Sequence, residues 1–154
     1  MTSTQRPSTR CTWPYATATL RSTSPACPVG SLCRWFSAVG SRLPLHATGV
    51  GKVLLAYAPG EIQTAVLAKL TRITPFTVTQ PGKLEAELRR VRQEGFAQTN
   101  EEMSLGACSM AVPVRAGEQV VAAIGMVVPS LKRDRVRLVA ALQVAAQGIG
   151  RSLG

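Results

Sequence analysis

Every regular hydrophobic period in this 154-residue chain lies after residue 41, so any packed core must be built from residues 42–154. The first 42 residues hold five arginines (Arg6, Arg10, Arg21, Arg34, Arg42) and no acid. They also hold both tryptophans (Trp13, Trp35) and three of the four cysteines (Cys11, Cys27, Cys33). The remainder carries 13 basic and 8 acidic side chains, so half of the net charge of +10 sits in the opening segment. A basic arm that binds nucleic acid is one reading of that segment, and plain disorder is another. It lacks the apolar stretch of a secretory signal, and its Pro and Cys content spoils the amphipathic helix of a transit peptide. A third reading fits better: Arg, Ser, Thr, Pro, Cys and Trp without acids are what a GC-rich gene yields out of frame. Back-translation of Ser8 to Ala18 in the shifted frame permits Asp-Ala-Val-His-Leu-Ala-Val-Arg-Asp-Gly-Asp, a strand followed by a turn. Residues 1–37 are therefore expected to be an irregular basic segment, frame-shifted or disordered, and residues 38–154 a single domain.

Within that domain the texture is mixed α/β. Thr48 is placed to N-cap a helix through Gly51 to Tyr57, which Pro59-Gly60 breaks. Ile62, Val66 and Leu70 mark a second helix over Glu61 to Leu70. Thr74-Pro75 turns the chain into a short extended piece, Phe76 to Thr79. Leu84, Leu88 and Val91 form the apolar face of a helix over Lys83 to Glu94, with Gly95 at its expected stop. Phe96 to Asn100 reads as a strand. Ser109 to Val114 and Gln119 to Val128 read as a hairpin joined at Arg115-Ala116-Gly117-Glu118, and Lys132 to Leu153 as a closing helix. Helices at both ends of the strand set predict an antiparallel sheet faced by helices. With 45% hydrophobic residues there is material for a core, and no apolar run reaches the roughly 18 residues of a membrane helix.

The chemical motifs are weak. A single histidine, His46, and a single aspartate, Asp134, make a Ser-His-Asp triad improbable. Gly49-Val50-Gly51-Lys52-Val53 resembles a phosphate-binding loop, yet His46 and Val53 stand where that loop needs a glycine and a magnesium-binding hydroxyl. Its small residues could still offer backbone N–H groups to an anion. The cysteine spacing makes no metal site, and no metal or cofactor is expected. Cys108 with His46 as base is an enzymatic reading; a small buried hydrophobe is the commoner role. Glu101-Glu102 could be acid–base carboxylates, but adjacent strand residues face opposite ways, so a cap or salt bridge is the better reading. Arg89, Arg90 and Arg92 read as the solvated face of their helix.

Four ordered segments carry a family resemblance. They are Leu43-Pro44-Leu45-His46-Ala47-Thr48-Gly49-Val50-Gly51-Lys52-Val53-Leu54-Leu55-Ala56, Leu70-Thr71-Arg72-Ile73-Thr74-Pro75, Val91-Arg92-Gln93-Glu94-Gly95-Phe96-Ala97 and Glu101-Glu102-Met103-Ser104-Leu105-Gly106. With the apolar hairpin and closing helix, residues 38–154 resemble the effector-binding domain of IclR-type bacterial transcriptional regulators. The resemblance implies a GAF-like domain, an antiparallel sheet flanked by helices, holding a small carboxylate or aromatic effector. Carried over residue by residue, it implies a pocket at Leu43, Gly49, Val50, Thr99, Ser109, Gly125 and Val127. Several of these are less polar than in some relatives, which points to a more apolar ligand. His46 is expected to be a structural hydrogen-bonding residue.

The resemblance further implies a cytoplasmic, non-catalytic regulator that assembles as a homodimer or higher oligomer and has no membrane partner. It would reach DNA only through a winged helix-turn-helix, and residues 1–42 offer no paired amphipathic helices for one. Two rivals remain. One is a small basic nucleic-acid-binding protein that uses the arginine-rich arm with Trp13 and Trp35. The other is an enzyme built on Cys108. Loss of a strand to the opening segment would leave an unpaired sheet edge and poor solubility.

Overall fold

A computed structural model describes residues 15–17, 42–132 and 134–153. The expectations for the other residues of the opening segment, including Trp13 and Trp35, lie outside the described residues. Two three-residue strands come first, β1 (Tyr15–Thr17) and β2 (Arg42–Pro44), paired antiparallel with Ala16 opposite Leu43. The sequence predicts neither strand, because three residues are too few to show a period. Helices α1 (Gly49–Ala56), α2 (Gly60–Leu67) and α3 (Pro81–Glu94) come next. Strands β3 (Ala97–Asn100), β4 (Cys108–Ala116) and β5 (Gln119–Val128) form an antiparallel sheet in the order β3-β4-β5, and α4 (Arg135–Leu153) closes the chain.

The sheet lies between two helical layers because β4 is apolar on both faces. Met110, Val112 and Val114 point to one side and pack with Leu142 and Ala146 of α4. Ala111 points to the other and joins a cluster with Val53 and Leu55 of α1 and Leu84, Leu88 and Val91 of α3. Full burial of such side chains stabilises the fold by about 1.5–3 kcal/mol each. Thr48 caps α1 as its spacing suggested: its hydroxyl accepts the Gly51 N–H at 3.1 Å and donates to the Pro44 carbonyl at 3.2 Å. Gly95 ends α3 in the left-handed conformation, φ 76°.

Most boundaries shift by one or two residues, and β4 extends to Cys108–Ala116; three larger differences have a visible cause. Helix α2 stops at Leu67, where the chain tightens through a Lys69 N–H to Val66 carbonyl bond instead of running to Leu70. The expected extended piece Phe76 to Thr79 opens with a turn and forms no strand: Pro75-Phe76 turn, and Thr77 Oγ1 accepts the N–H groups of Ile73 and Thr74. Helix α4 begins at Arg135, not Lys132, because the Lys132 N–H goes to Ser130 Oγ and the first helical bond runs from Leu138 to Asp134.

Candidate functional site

Register places several of the sequence-selected residues on one face of the sheet. Thr99 lies opposite Ser109, and Ser109 opposite Val127. Two residues along β4, Ala97 lies opposite Ala111, and Ala111 opposite Gly125. With a side-chain period of two, Thr99, Ser109, Val127 and Gly125 share the face on which α1 packs. The start of α1 can approach closely because both surfaces are small there. A Cβ at Gly49 would stand 2.9 Å from Ser109 Oγ, and one at Gly125 would stand 3.0 Å from Val50 Cγ1.

Polar bonds then fix that approach. The Gly49 N–H donates to Ser109 Oγ at 3.1 Å, and Ser109 Oγ shares a hydrogen bond of 2.6 Å with Thr99 Oγ1. Leu43, Val50, Ser109, Gly125 and Val127 line a small cavity of about 30 Å³, together with Thr48, Met103, Ala107 and Met126. Five of the seven sequence-selected residues thus meet at one cavity. Gly49 and Thr99 are not among its lining residues, and both bond Ser109, which is. The expectation that Gly49 and Val50 both offer free N–H groups needs correction. Gly49 is committed to Ser109 and Gly51 to Thr48, which leaves Val50 as the first-turn donor without a partner among the described residues.

Sequence reasoning did not select Thr48, Met103, Ala107 or Met126 as lining. Met103 and Ala107 belong to the connection between β3 and β4, whose path is set by tertiary contacts. A larger open groove of about 900 Å³ lies where Tyr57, Arg92, Arg115 and Arg151 gather, and it includes none of the selected residues.

The other candidates have structural roles. His46 is buried and its Nε2 lies 2.9 Å from the Thr71 carbonyl. A carbonyl only accepts, so Nε2 carries the proton. Cys108 packs with the α4-side cluster, on the sheet face opposite Ser109, so it is not set beside the α1 cavity. Glu102 is buried and takes a hydrogen bond of 2.6 Å from Lys52 Nζ, while Glu101 accepts the Gly106 N–H at 2.9 Å. The pair therefore works as an ion-pair partner and a local cap. They lie in bends beyond β3 rather than on a strand. Arg92 departs from a purely solvated role, since its guanidinium donates to the Ala56 carbonyl at the end of α1. No cluster of three or more His, Cys, Asp or Glu suited to a metal ion occurs among the described residues.

The profile described as "Bacterial transcriptional regulator IclR C-terminal" matches residues 29–151. The chain belongs to the IclR family of bacterial transcriptional regulators. This IclR-type chain is 35% identical over 128 residues to the HTH-type transcriptional regulator KdgR of Dickeya chrysanthemi, covering 79% of itself and 42% of that protein. It is 34% identical over 119 residues to the Pca operon regulatory protein of Acinetobacter baylyi, covering 75% of itself and 42% of the relative. The chain thus spans less than half the length of these relatives. Among solved structures it is similar to an IclR homologue from Microbacterium hydrocarbonoxydans complexed with 4-hydroxybenzoate. That match has a TM-score of 0.71 at 36% identity and covers 76% of this chain and 49% of the other. It is also similar to the C-terminal domain of Escherichia coli KdgR, with a TM-score of 0.68 at 34% identity over 75% and 74% of the two chains. The IclR-type match begins at residue 29, ahead of the residue 38 expected from the sequence. No helix among the described residues is long and apolar enough to cross a membrane.

Proposed function

We propose that this chain is the small-molecule-sensing domain of an IclR-type transcriptional regulator and that its effector binds at the cavity between the start of α1 and the β4-β5 hairpin. The observation that carries this reading is the meeting of Leu43, Val50, Ser109, Gly125 and Val127 on one cavity. The lining is almost wholly hydrocarbon; Ser109 Oγ is engaged by Gly49 and Thr99, and the Val50 N–H is the first-turn donor without a partner among the described residues. That chemistry suits a small ligand with an apolar or aromatic body and one polar or anionic end. The 4-hydroxybenzoate bound by the Microbacterium relative is such a molecule. The function is binding without catalysis: His46 is committed to Thr71, and Cys108 lies on the other sheet face. Effector binding would shift the population of two arrangements of a dimer or higher oligomer, and a helix-turn-helix elsewhere in the regulator would pass this to DNA.

Calorimetric titration with 4-hydroxybenzoate, other monocyclic aromatic carboxylates and short keto acids tests the reading. Saturable binding by at least one of them is expected. Val127→Phe, which fills the cavity, should weaken it at least tenfold while leaving the circular dichroism spectrum unchanged. Binding that survives Val127→Phe undiminished would place the ligand elsewhere. A panel with no binder at all would remove this class of effector.

A further inference from the structure

The connection between β3 and β4, residues 101–107, separates two concavities. Met103 and Ala107 form part of the wall of the 30 Å³ cavity. Asn100, at the end of β3, and Glu102, near the start of the connection, line a cleft of about 270 Å³ shared with Lys52, Phe76, Val78 and Glu87. The connection is closed on itself. The Glu101 N–H donates to the Ala107 carbonyl at 2.9 Å, the Gly106 N–H donates to the Glu101 carboxylate, and both Glu101 and Gly106 have positive φ, 55° and 72°.

Its hold on the rest of the domain is concentrated at one end. Lys52 Nζ, on a side chain only 1% exposed, stands 2.6 Å from both Glu102 Oε1 and Glu87 Oε2. The Thr74 and Thr77 hydroxyls donate to the carbonyls of Glu101 and Glu102, each at 2.7 Å. Breaking a buried pair from one side leaves an uncompensated charge, so such a contact fixes geometry strongly whatever its net contribution to stability.

A cavity of about 30 Å³ is too small for an aromatic ring, since benzene occupies an apolar cavity of roughly 150 Å³. A ring seated wholly within it would need a wall to move. Ser109, Gly125, Met126 and Val127 belong to the hydrogen-bonded hairpin, Leu43 to the β1-β2 pair, and Thr48 and Val50 to the capped start of α1, which is tied to the hairpin through Gly49. The 101–107 connection is the wall that belongs to neither a strand ladder nor a helix.

We infer that Lys52 and Glu102 are positioning residues for the effector cavity: their ion pair holds the Met103–Ala107 wall in its closed position, and Glu87 joins that wall to α3. The inference rests on the proposed effector site for its biological meaning, but the position of the wall can be measured without any ligand. Lys52 sits 50 residues from Glu102 and 35 from Glu87, so one side chain gathers α1, α3 and the connection. Displacement of the wall by a ligand would be felt first at Lys52 and then along α3.

Hydrogen-exchange mass spectrometry on the full chain tests this, comparing the parent with Glu102→Gln and with the Lys52→Met/Glu102→Leu double variant. Exchange at residues 101–107 is expected to rise at least tenfold in Glu102→Gln, with α4 unchanged. Titration with 4-hydroxybenzoate in the same variants is expected to give a changed affinity. Equal acceleration throughout the domain, no acceleration at 101–107, or loss of the native fold in both variants would each overturn the inference. If the parent binds neither 4-hydroxybenzoate nor any related acid, the proposed function fails, while the exchange result still decides the role of the pair.

Discussion

Ser109 shows how one hydroxyl can join three elements. It accepts a backbone N–H from the first residue of α1 and bonds the Thr99 hydroxyl on β3, while its own backbone belongs to the β4-β5 ladder. A hydroxyl has one donor and two acceptor positions, so both contacts can be satisfied at once. Ser109→Ala is expected to leave the Gly49 N–H and the Thr99 hydroxyl without that partner and to lower stability by about 1–3 kcal/mol, read from the urea midpoint. Thr99→Ala combined with Ser109→Ala should cost less than the two single changes added together, because they remove one shared bond. Additivity in that cycle would mean that the 2.6 Å contact contributes nothing of its own.

At the scale of elements, the contact among α1, α3 and the β3-β4 connection has a pH signature. Burial pushes the Glu102 carboxyl above its usual range. Lys52 opposes this by charge and hydrogen bond, nearby Glu87 reinforces it, and the Val78 N–H opposes it. A carboxyl whose affinity for the proton is higher in the folded chain stabilises the fold as pH falls through its folded-state pKa. That contribution is complete below the unfolded-state value and is lost as pH rises again. In urea titrations between neutral and mildly acidic pH, the parent is therefore expected to gain stability relative to Glu102→Gln as pH is lowered. A parent that loses ground to the variant on acidification would show that attraction to Lys52 outweighs burial.

For the molecule as a whole, the three-stranded sheet packs on both faces, and among the described residues it ends at β5. Among the described residues β5 is an edge strand of ten residues, Gln119–Val128, with no charged side chain. Edges of this kind recruit other strands unless charge or proline blocks them. Val121 is 49% exposed on this strand. Val121→Lys is expected to reduce aggregation, followed by light scattering at rising concentration, with a melting temperature close to that of the parent. Unchanged aggregation would turn attention to other surfaces, such as Val136 and Val144 exposed on α4.

What the sequence determined by itself was local. Thr48 announced the start of α1, Gly95 the end of α3, and the spacing of Leu84, Leu88 and Val91 the buried face, because caps and periods act within a few residues. Motif resemblance also picked out five of the nine residues that line the cavity, and with the strands in register the common face of Thr99, Ser109, Gly125 and Val127 follows from alternation. Tertiary structure decided the rest. Lys52 reads as an ordinary charged helix residue, yet it is buried because Glu87 and Glu102 arrive from distant parts of the chain to neutralise it. Met103 and Ala107 read as loop residues, and they line the cavity only because Thr74, Thr77 and Lys52 hold their connection in place. A hydrophobic period reports which side of an element is buried; which partners meet there depends on chain segments that no local pattern specifies.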